Sequence, residues 1–290
     1  MFRPFLFIAL LLPCPLLGQS DPEAVLAQAR HAYETGAFEP ALAYTDSALS
    51  LRQDLAAAYK LRGDIKQRQA NLHGALLDYA KAEKHDPKDA RLYISRSALY
   101  ITEGRLKDAL SDLDRAIKLD PSDPDAWYNR ACALYMEQDN EGALRDLHKA
   151  LQLHKEDANA LLLRGVIKGE LSRDSDGLTD VEEALRLNPN IPSGNISYAV
   201  LLHGAGRYEE AIVRFTQVID QKEELAEAHY FRGDCHYNLG EKEKACQDFR
   251  TSAEMGDRDS QFIVRTYCNT DATKIPKKAG RQQRKTVIEF

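Results

Sequence analysis

The sequence contains few of the residues that interrupt helices: 16 glycines and 11 prolines among 290 residues, together with a single tryptophan. Alanine, leucine and charged residues are abundant instead. Such a composition is typical of a soluble helical protein. We therefore expect an all-α fold.

Basic residues are too few to give the body of the chain a positive surface. Residues 19–268 contain 32 basic and 43 acidic side chains. Because phosphate binding needs a basic surface, we expect no nucleic-acid partner. Residues 269–290 reverse the balance, with six basic and two acidic residues, and indicate at most a weak contact with an anionic membrane surface.

Motifs that carry catalysis are also missing. The sequence has no GxSxG motif, no glycine-rich loop that would hold a phosphate and no HExxH motif. Its acidic clusters, such as Glu209 with Glu210, are typical of solvated helix faces. We therefore predict no enzymatic activity, no cofactor and no small-molecule substrate.

The chain begins with a short apolar segment. Arg3 is followed by the apolar residues 5–12, then by two prolines and Gly18. A positive start, a short apolar core and a small residue at the end are typical of a secretory signal peptide, residues 1–18. The segment is too short to span a bilayer as a helix. We expect an exported protein, in a bacterial periplasm or outer envelope or secreted; an uncleaved anchor is the alternative.

The main feature of the sequence is a period of 34 residues. Small residues recur at the eighth, twentieth and twenty-seventh places of each period, as Ser97, Ala109 and Ala116 do in the third. This spacing favours two antiparallel helices packed through small side chains. Seven repeats follow one another without insertion, numbered here in chain order: 22–55, 56–89, 90–123, 124–157, 158–191, 192–225 and 226–259.

The repeats resemble the tetratricopeptide repeat (TPR) family. Trp127 at the fourth place, Gly63 at the eighth and Pro121 near the end agree with its pattern. The resemblance implies an α–α superhelix (solenoid) of seven helix-turn-helix repeats, with a C-terminal capping helix at 260–268 and a disordered basic tail at 269–290. Asn195, where a large aromatic is usual, and Gly177, where alanine is usual, depart from the pattern and are expected to loosen the joint between repeats 5 and 6.

Five repeats carry an arginine at the seventh place and an aspartate at the twenty-third. Where one member is lost, the other is lost too, as in repeat 6 with Tyr198 and Arg214. Pairing inside each repeat leaves no charge unpaired, so we predict a structural ion pair in each; a charged ligand site is the alternative. The predicted pairs are Arg62 with Asp78, Arg96 with Asp112, Arg130 with Asp146, Arg164 with Asp180, and Arg232 with Asp248.

The cysteines and histidines near the C-terminus suggest either a metal site or a disulfide. His229, Cys235 and His236 lack the usual zinc spacings, so we expect histidines packed in the core and no metal. An exported compartment permits disulfides. Cys246 on the last repeat helix and Cys268 on the capping helix are the expected pair, with Cys235 as a competing partner for Cys246 and Cys132 as a lone thiol.

In the TPR family the first helix of each repeat lines a concave surface, chiefly through its second, fifth, ninth, twelfth and thirteenth places. Carried over, the resemblance implies a partner-binding set of apolar residues: Ile94, Ala98, Ile101, Tyr128, Cys132, Tyr135, Met136, Leu162, Val166, Ile196, Val200, Tyr230 and Tyr237. We expect an exported interaction scaffold that binds an apolar peptide or helix of another protein there. The alternative is a structural subunit of an envelope complex or a homo-oligomer, in which this face is permanently buried.

Overall fold

The computed structural model describes residues 21–221 and 225–276. These residues form fifteen α-helices and one short π-helix, and no β-strand occurs among them. The all-α fold is therefore confirmed. None of the helices in these residues has the length and apolarity needed to cross a membrane. The predicted signal peptide and residues 277–290 lie outside the described residues.

The chain divides into two compact units, with the division after Leu99. The N-terminal unit contains two helix pairs and the start of a fifth helix, which extends past the division. Its helices are α1 (Pro22–Glu34), α2 (Phe38–Leu51), α3 (Ala56–Arg68), α4 (Leu72–His85) and α5 (Ala90–Thr102). Each pair packs through alanines at the places predicted for small residues, such as the fully buried Ala29, Ala41 and Ala48.

The C-terminal unit, from Tyr100 onward, contains the other repeats. Its helices are α6 (Leu106–Leu119), α7 (Pro124–Met136), α8 (Asn140–Leu153), α9 (Ala158–Glu170), α10 (Asp174–Leu187), α11 (Gly194–Gly204), α12 (Tyr208–Asp220), α13 (Ala226–Asn238), α14 (Lys242–Glu254) and α15 (Arg258–Ile263). The second helix of each repeat contacts the first helix of the next, and the first helices α7, α9, α11 and α13 also contact their neighbours in that order.

Aspartate and proline fix where several of the first helices begin. Asp123 accepts a hydrogen bond from the Asp125 amide at 3.0 Å and precedes Pro124, a residue favoured at the first helical position. Repeat 6 lacks this device because Ile191 precedes Pro192 and has no side-chain acceptor. Its first helix begins two residues late, at Gly194, after a left-handed residue, Ser193 (φ 58°).

The turn between the two helices contains a left-handed residue in every repeat. This residue occupies the fifteenth place of the repeat and has a positive φ, as the end of a helix often requires. Glycine fills this place in four repeats (Gly36, Gly104, Gly206 and Gly240), but Ala70, Gln138 and Ser172 fill it in the others. Left-handed backbone costs such residues about 1–2 kcal/mol each.

The packing of α9 against α10 requires glycine at residue 177, so the absence of a methyl group there leaves no gap. A Cβ at this residue would lie 2.6 Å from the Gly165 carbonyl oxygen and 3.1 Å from Leu201 Cδ2. Reciprocally, a Cβ at Gly165 would lie 2.8 Å from the Gly177 oxygen. Helices α9 and α10 therefore approach too closely for alanine. Gly177 is thus not the packing defect that was expected, because sequence alone does not show how near the two backbones come. The looser joint between repeats 5 and 6 stays a prediction.

The end of the described chain packs against repeat 7. Helix α15 begins at Arg258 and continues as a π-helix, Val264–Cys268. Lys242 Nζ then donates to the carbonyl oxygens of Thr270 (3.0 Å) and Ala272 (2.8 Å). The expectation of a disordered tail is therefore wrong for residues 269–276, where these side-chain-to-backbone bonds hold the chain in place.

Candidate functional site

The predicted arginine–aspartate pairs are two-point ion pairs. Each arginine donates through Nε and Nη2 to the two carboxylate oxygens, at 2.6–2.9 Å. Four pairs are seen: Arg62 with Asp78, Arg130 with Asp146, Arg164 with Asp180, and Arg232 with Asp248. The fifth, Arg96 with Asp112, would join the two compact units and stays a prediction.

Three of these arginines also reach the preceding repeat, which the sequence analysis did not foresee. The third nitrogen, Nη1, donates to the side chain at the twenty-fifth place of that repeat. The acceptors are Asp46 for Arg62 (2.6 Å), Asp114 for Arg130 (2.8 Å) and Thr216 for Arg232 (3.0 Å). In repeat 6, Tyr198 takes the arginine's place and donates to Glu182 at 2.5 Å. The arginines thus join neighbouring repeats, which accounts for them without a ligand.

The cysteines pair as expected, Cys246 with Cys268. Cys246 and Cys268 form a disulfide with an S–S distance of 2.11 Å, which attaches the π-helix to α14. Cys132 and Cys235 are free and buried. Burial raises the pKa of each of these two thiols to about 12, so both are protonated and unreactive near neutral pH.

The two histidines of repeat 7 each bind a carboxylate. His229 Nδ1 lies 3.1 Å from Asp248 Oδ1, beside the Arg232 pair, and His236 Nδ1 lies 2.6 Å from Glu241 Oε2. Among residues 21–221 and 225–276, no group of three or more His, Cys, Asp or Glu side chains has the arrangement of a metal site. The histidines are thus accounted for by hydrogen bonds within the repeat.

Much of the apolar set expected to bind a partner is buried in the core. Less than a tenth of the surface is exposed for each of these residues: Ile94, Cys132, Leu162, Val166, Ile196 and Tyr230. The exposure assumed for them was wrong. In the C-terminal unit the first helices of successive repeats contact one another, so side chains at their fifth and ninth places lie between helices instead of facing solvent.

Three apolar residues of that set that reach the surface lie on α7. Met136 is 41% exposed, and Tyr128 and Tyr135 are half-buried. Ala98, Ile101 and Val200 are also partly exposed, whereas Tyr237 lies under the C-terminal residues, since its hydroxyl oxygen accepts from the Ile275 amide at 3.4 Å. The accessible apolar surface is therefore a short patch and not a long row.

Polar side chains that the sequence analysis passed over lie beside this patch. Tyr135 donates to Glu170 Oε1 at 2.8 Å, and Asn140 Nδ2 donates to Glu170 Oε2 at 3.1 Å. Further along, His203 Nε2 lies 2.7 Å from Asp234 Oδ2. Glu170, His203 and Asp234 occupy the thirteenth, twelfth and ninth places. The positional rule had pointed to these places, but only apolar residues had been selected from it.

These positions define a surface that we call the first-helix face: the second, fifth, ninth, twelfth and thirteenth places of repeats 4 to 7. It contains no lysine or arginine. Its four carboxylates are Asp125, Glu170, Glu227 and Asp234. The face is therefore negatively charged, with the apolar patch on α7 at one side of it.

Three family models match the chain. One described as TPR repeat matches residues 98–138, and two described as tetratricopeptide repeat match residues 124–157 and 199–260. The range 124–157 has the bounds of repeat 4. The chain belongs to the tetratricopeptide repeat family. Its fold is one that serves as a scaffold for protein–protein interaction.

Several solved structures share the fold. A tetratricopeptide repeat protein from Parabacteroides merdae is 20% identical, with 84% of this chain and 97% of that one covered and a TM-score of 0.58. PilF of Pseudomonas aeruginosa is 21% identical (72% and 96% covered, TM-score 0.63). YrrB, described as a TPR protein with an unusual peptide-binding site, is 23% identical (64% and 97% covered, TM-score 0.57). No curated protein has significant sequence similarity to this chain.

Proposed function

We propose that this TPR protein is an exported, non-enzymatic scaffold that binds a segment of another protein on the first-helix face. The observation that carries the proposal is the patch of Met136, Tyr128 and Tyr135 on a face that has carboxylates but no lysine or arginine. Tyrosine and methionine are enriched where proteins bind one another, because they offer large apolar contact area.

The charge of the face indicates the chemistry of the bound segment. Four carboxylates lie on this face, and one of them, Glu170, accepts hydrogen bonds from Tyr135 and Asn140. Complementary charge speeds association and selects the partner. We infer a segment with apolar side chains for the patch and lysine or arginine side chains for the carboxylates. This refines the expectation of a purely apolar peptide.

Export is supported by two features of the chain. The first is the segment at 1–18, with its single basic residue and short apolar core. The second is the Cys246–Cys268 disulfide, a bond that persists in oxidising compartments. Amino-terminal sequencing of the protein from its native host is the test, with Gln19 expected at the start of the mature chain. An intact Met1 on cytosolic protein contradicts export.

The binding proposal is tested by a charge placed on the patch. Met136→Lys adds a cation to the acidic face and removes apolar area, so it should abolish capture of a partner with basic and apolar residues. Val213→Lys, at a 57% exposed residue of α12, is the matched control and should retain capture. The proteins captured by wild type and by both variants are compared by mass spectrometry, with circular dichroism to verify folding.

Two results would contradict the proposal. One is a captured protein that Met136→Lys retains as well as the wild type does. The other is a purified wild type that self-associates in light scattering and becomes monomeric in Met136→Lys, since this would assign the face to a homo-oligomer.

A further inference from the structure

In repeats 3 and 4, the aromatic side chain at the fourth place donates a hydrogen bond to a proline carbonyl oxygen of the preceding repeat. In repeat 4, Trp127 Nε1 donates to the Pro121 carbonyl oxygen at 3.0 Å, and the Arg130 guanidinium lies over the ring at 5.0 Å from its centroid. In repeat 3, the Tyr93 hydroxyl donates to the Pro87 carbonyl oxygen at 3.0 Å. Both prolines occupy the thirty-second place of the repeat before.

Repeat 6 has no ring at this place. Asn195 stands there, on a helix that begins two residues late. The result is an open depression of about 400 Å³, bordered by Glu182, Arg186, Pro189, Asn195, Tyr198 and Arg214. Pro189 is the counterpart of Pro121, and within the described residues its carbonyl oxygen accepts no hydrogen bond. In repeat 4 the corresponding space holds the Trp127 ring, and the corresponding proline oxygen accepts its hydrogen bond.

The charges around the depression suit the face of an aromatic ring. Tyr198 and Arg214 replace the arginine and aspartate that five repeats carry, so the cation lies at a different place. Arg214 lies 5.1 Å from the Tyr198 ring centroid and, in the part of the chain that the structure describes, forms no ion pair. The one carboxylate at the border, Glu182, is held by the Tyr198 hydroxyl. An arginine without a carboxylate attracts the electron-rich face of a ring.

We propose that this depression binds a tryptophan or tyrosine side chain of a different protein, in the position that Trp127 fills in repeat 4. The ring stacks on Pro189 below the guanidinium of Arg214, and its N–H or O–H donates to the Pro189 carbonyl oxygen. The site lies on α10, the loop after it, α11 and α12, apart from the patch of Met136, and it does not depend on the function proposed above.

The chemistry of the chain itself argues against an occupant from the same molecule. The aromatic residues outside the described part are Phe2, Phe5, Phe7 and Phe290. Phenylalanine has no N–H or O–H on its ring, so it would leave the Pro189 carbonyl oxygen without a donor. A tryptophan or tyrosine must therefore come from elsewhere.

The test uses N-acetyl-tryptophanamide as the probe and follows its titration into the full chain by NMR. Wild type should show saturable shifts around residues 182–214. Asn195→Trp fills the depression from within and should abolish them. Leu153→Trp, which adds a ring at a 38% exposed residue of α8, should bind as wild type does. Arg214→Gln keeps the depression but removes the cation, and should weaken binding roughly threefold to tenfold.

Several results would overturn the proposal. These are an absence of saturable shifts in wild type, equal binding by Asn195→Trp, and equal binding of N-acetyl-leucinamide. Much tighter binding of free tryptophan would assign the site to a small molecule instead. Self-association of wild type that Asn195→Trp abolishes would assign it to a second copy of this chain.

Discussion

Arg130 holds Asp146 through two parallel hydrogen bonds, Nε to Oδ2 at 2.7 Å and Nη2 to Oδ1 at 2.9 Å. Asp146 is only 5% exposed, so its charge depends on this arginine for solvation. The hydrogen bonds to Asp146 and Asp114 in turn raise the pKa of Arg130, which is therefore always protonated. The pair is a structural unit of repeat 4.

Removing Arg130 alone should therefore be more harmful than removing both partners. Arg130→Met leaves Asp146 buried without a cation, and such losses cost roughly 3–5 kcal/mol in the free energy of unfolding. The double variant with Asp146→Met should recover much of this loss. Asp114→Ala is the control, because Asp114 is 67% exposed at its side chain and such pairs contribute about 0–1 kcal/mol. Urea unfolding gives the values. A double variant less stable than Arg130→Met contradicts the pairing.

The turn residue Gln138 should be improved by glycine. Its φ of 67° is costly for a side chain with a Cβ, so Gln138→Gly should stabilise the protein by about 0.5–1 kcal/mol after the greater freedom of the unfolded chain is allowed for. Gly104→Ala reverses the change at the same place of repeat 3, where φ is 71° and no atom blocks the methyl group. It should destabilise by a similar amount. Thermal unfolding measures the stability of both variants, and changes of the same sign in the two would refute the argument.

Gly177 should tolerate no methyl group. Helix propensity alone predicts that Gly177→Ala stabilises the protein by up to about 1 kcal/mol. The contact with the Gly165 oxygen instead predicts a loss of about 1–3 kcal/mol from overpacking. Ala143→Gly, at the same place of repeat 4, should also destabilise, because there the methyl group is fully buried. The denaturant midpoint of Gly177→Ala decides between stabilisation by helix propensity and destabilisation by overpacking. A more stable Gly177→Ala would show that the two helices separate easily.

The disulfide should stabilise the end of the chain. Its cysteines are 22 residues apart, and a loop of this size contributes roughly 2–4 kcal/mol through the unfolded state. Cys246→Ser with Cys268→Ser should lower the melting temperature and make it insensitive to dithiothreitol. Alkylation of the unreduced, unfolded wild type should modify Cys132 and Cys235 but neither of the paired cysteines. Modification of Cys246 under these conditions would show that the bridge does not form in solution.

The period of the sequence was enough to predict the fold. Small residues every 34 positions fix where helices touch, and most first helices begin where the frame places them. The exception is α11, which begins two residues late, after the left-handed residue Ser193. Caps and turns are local, so their effects are readable from a few neighbouring residues.

The binding surface was predicted less well, because burial depends on how closely neighbouring helices approach. Leu162 and Ile196 occupy places that were expected to face a partner, yet they lie between first helices. Gly177 shows the same difficulty: its meaning changes with the distance to the Gly165 backbone. The reach of Arg130 to Asp114 was also overlooked, since within-repeat and between-repeat pairing had been treated as exclusive although a guanidinium has donors for both.

The joints of the C-terminal unit respond differently to dissolved ions. Between repeats 3 and 4 the link from Arg130 to Asp114 joins two charges near solvent, whose attraction salt screens. Between repeats 5 and 6 the corresponding link starts from a neutral phenol, because burial and the bond to Glu182 raise the pKa of Tyr198 to about 12. Rising ionic strength therefore weakens the first joint relative to the second. The joint that opens first in this unit therefore depends on the salt concentration as well as on the sequence.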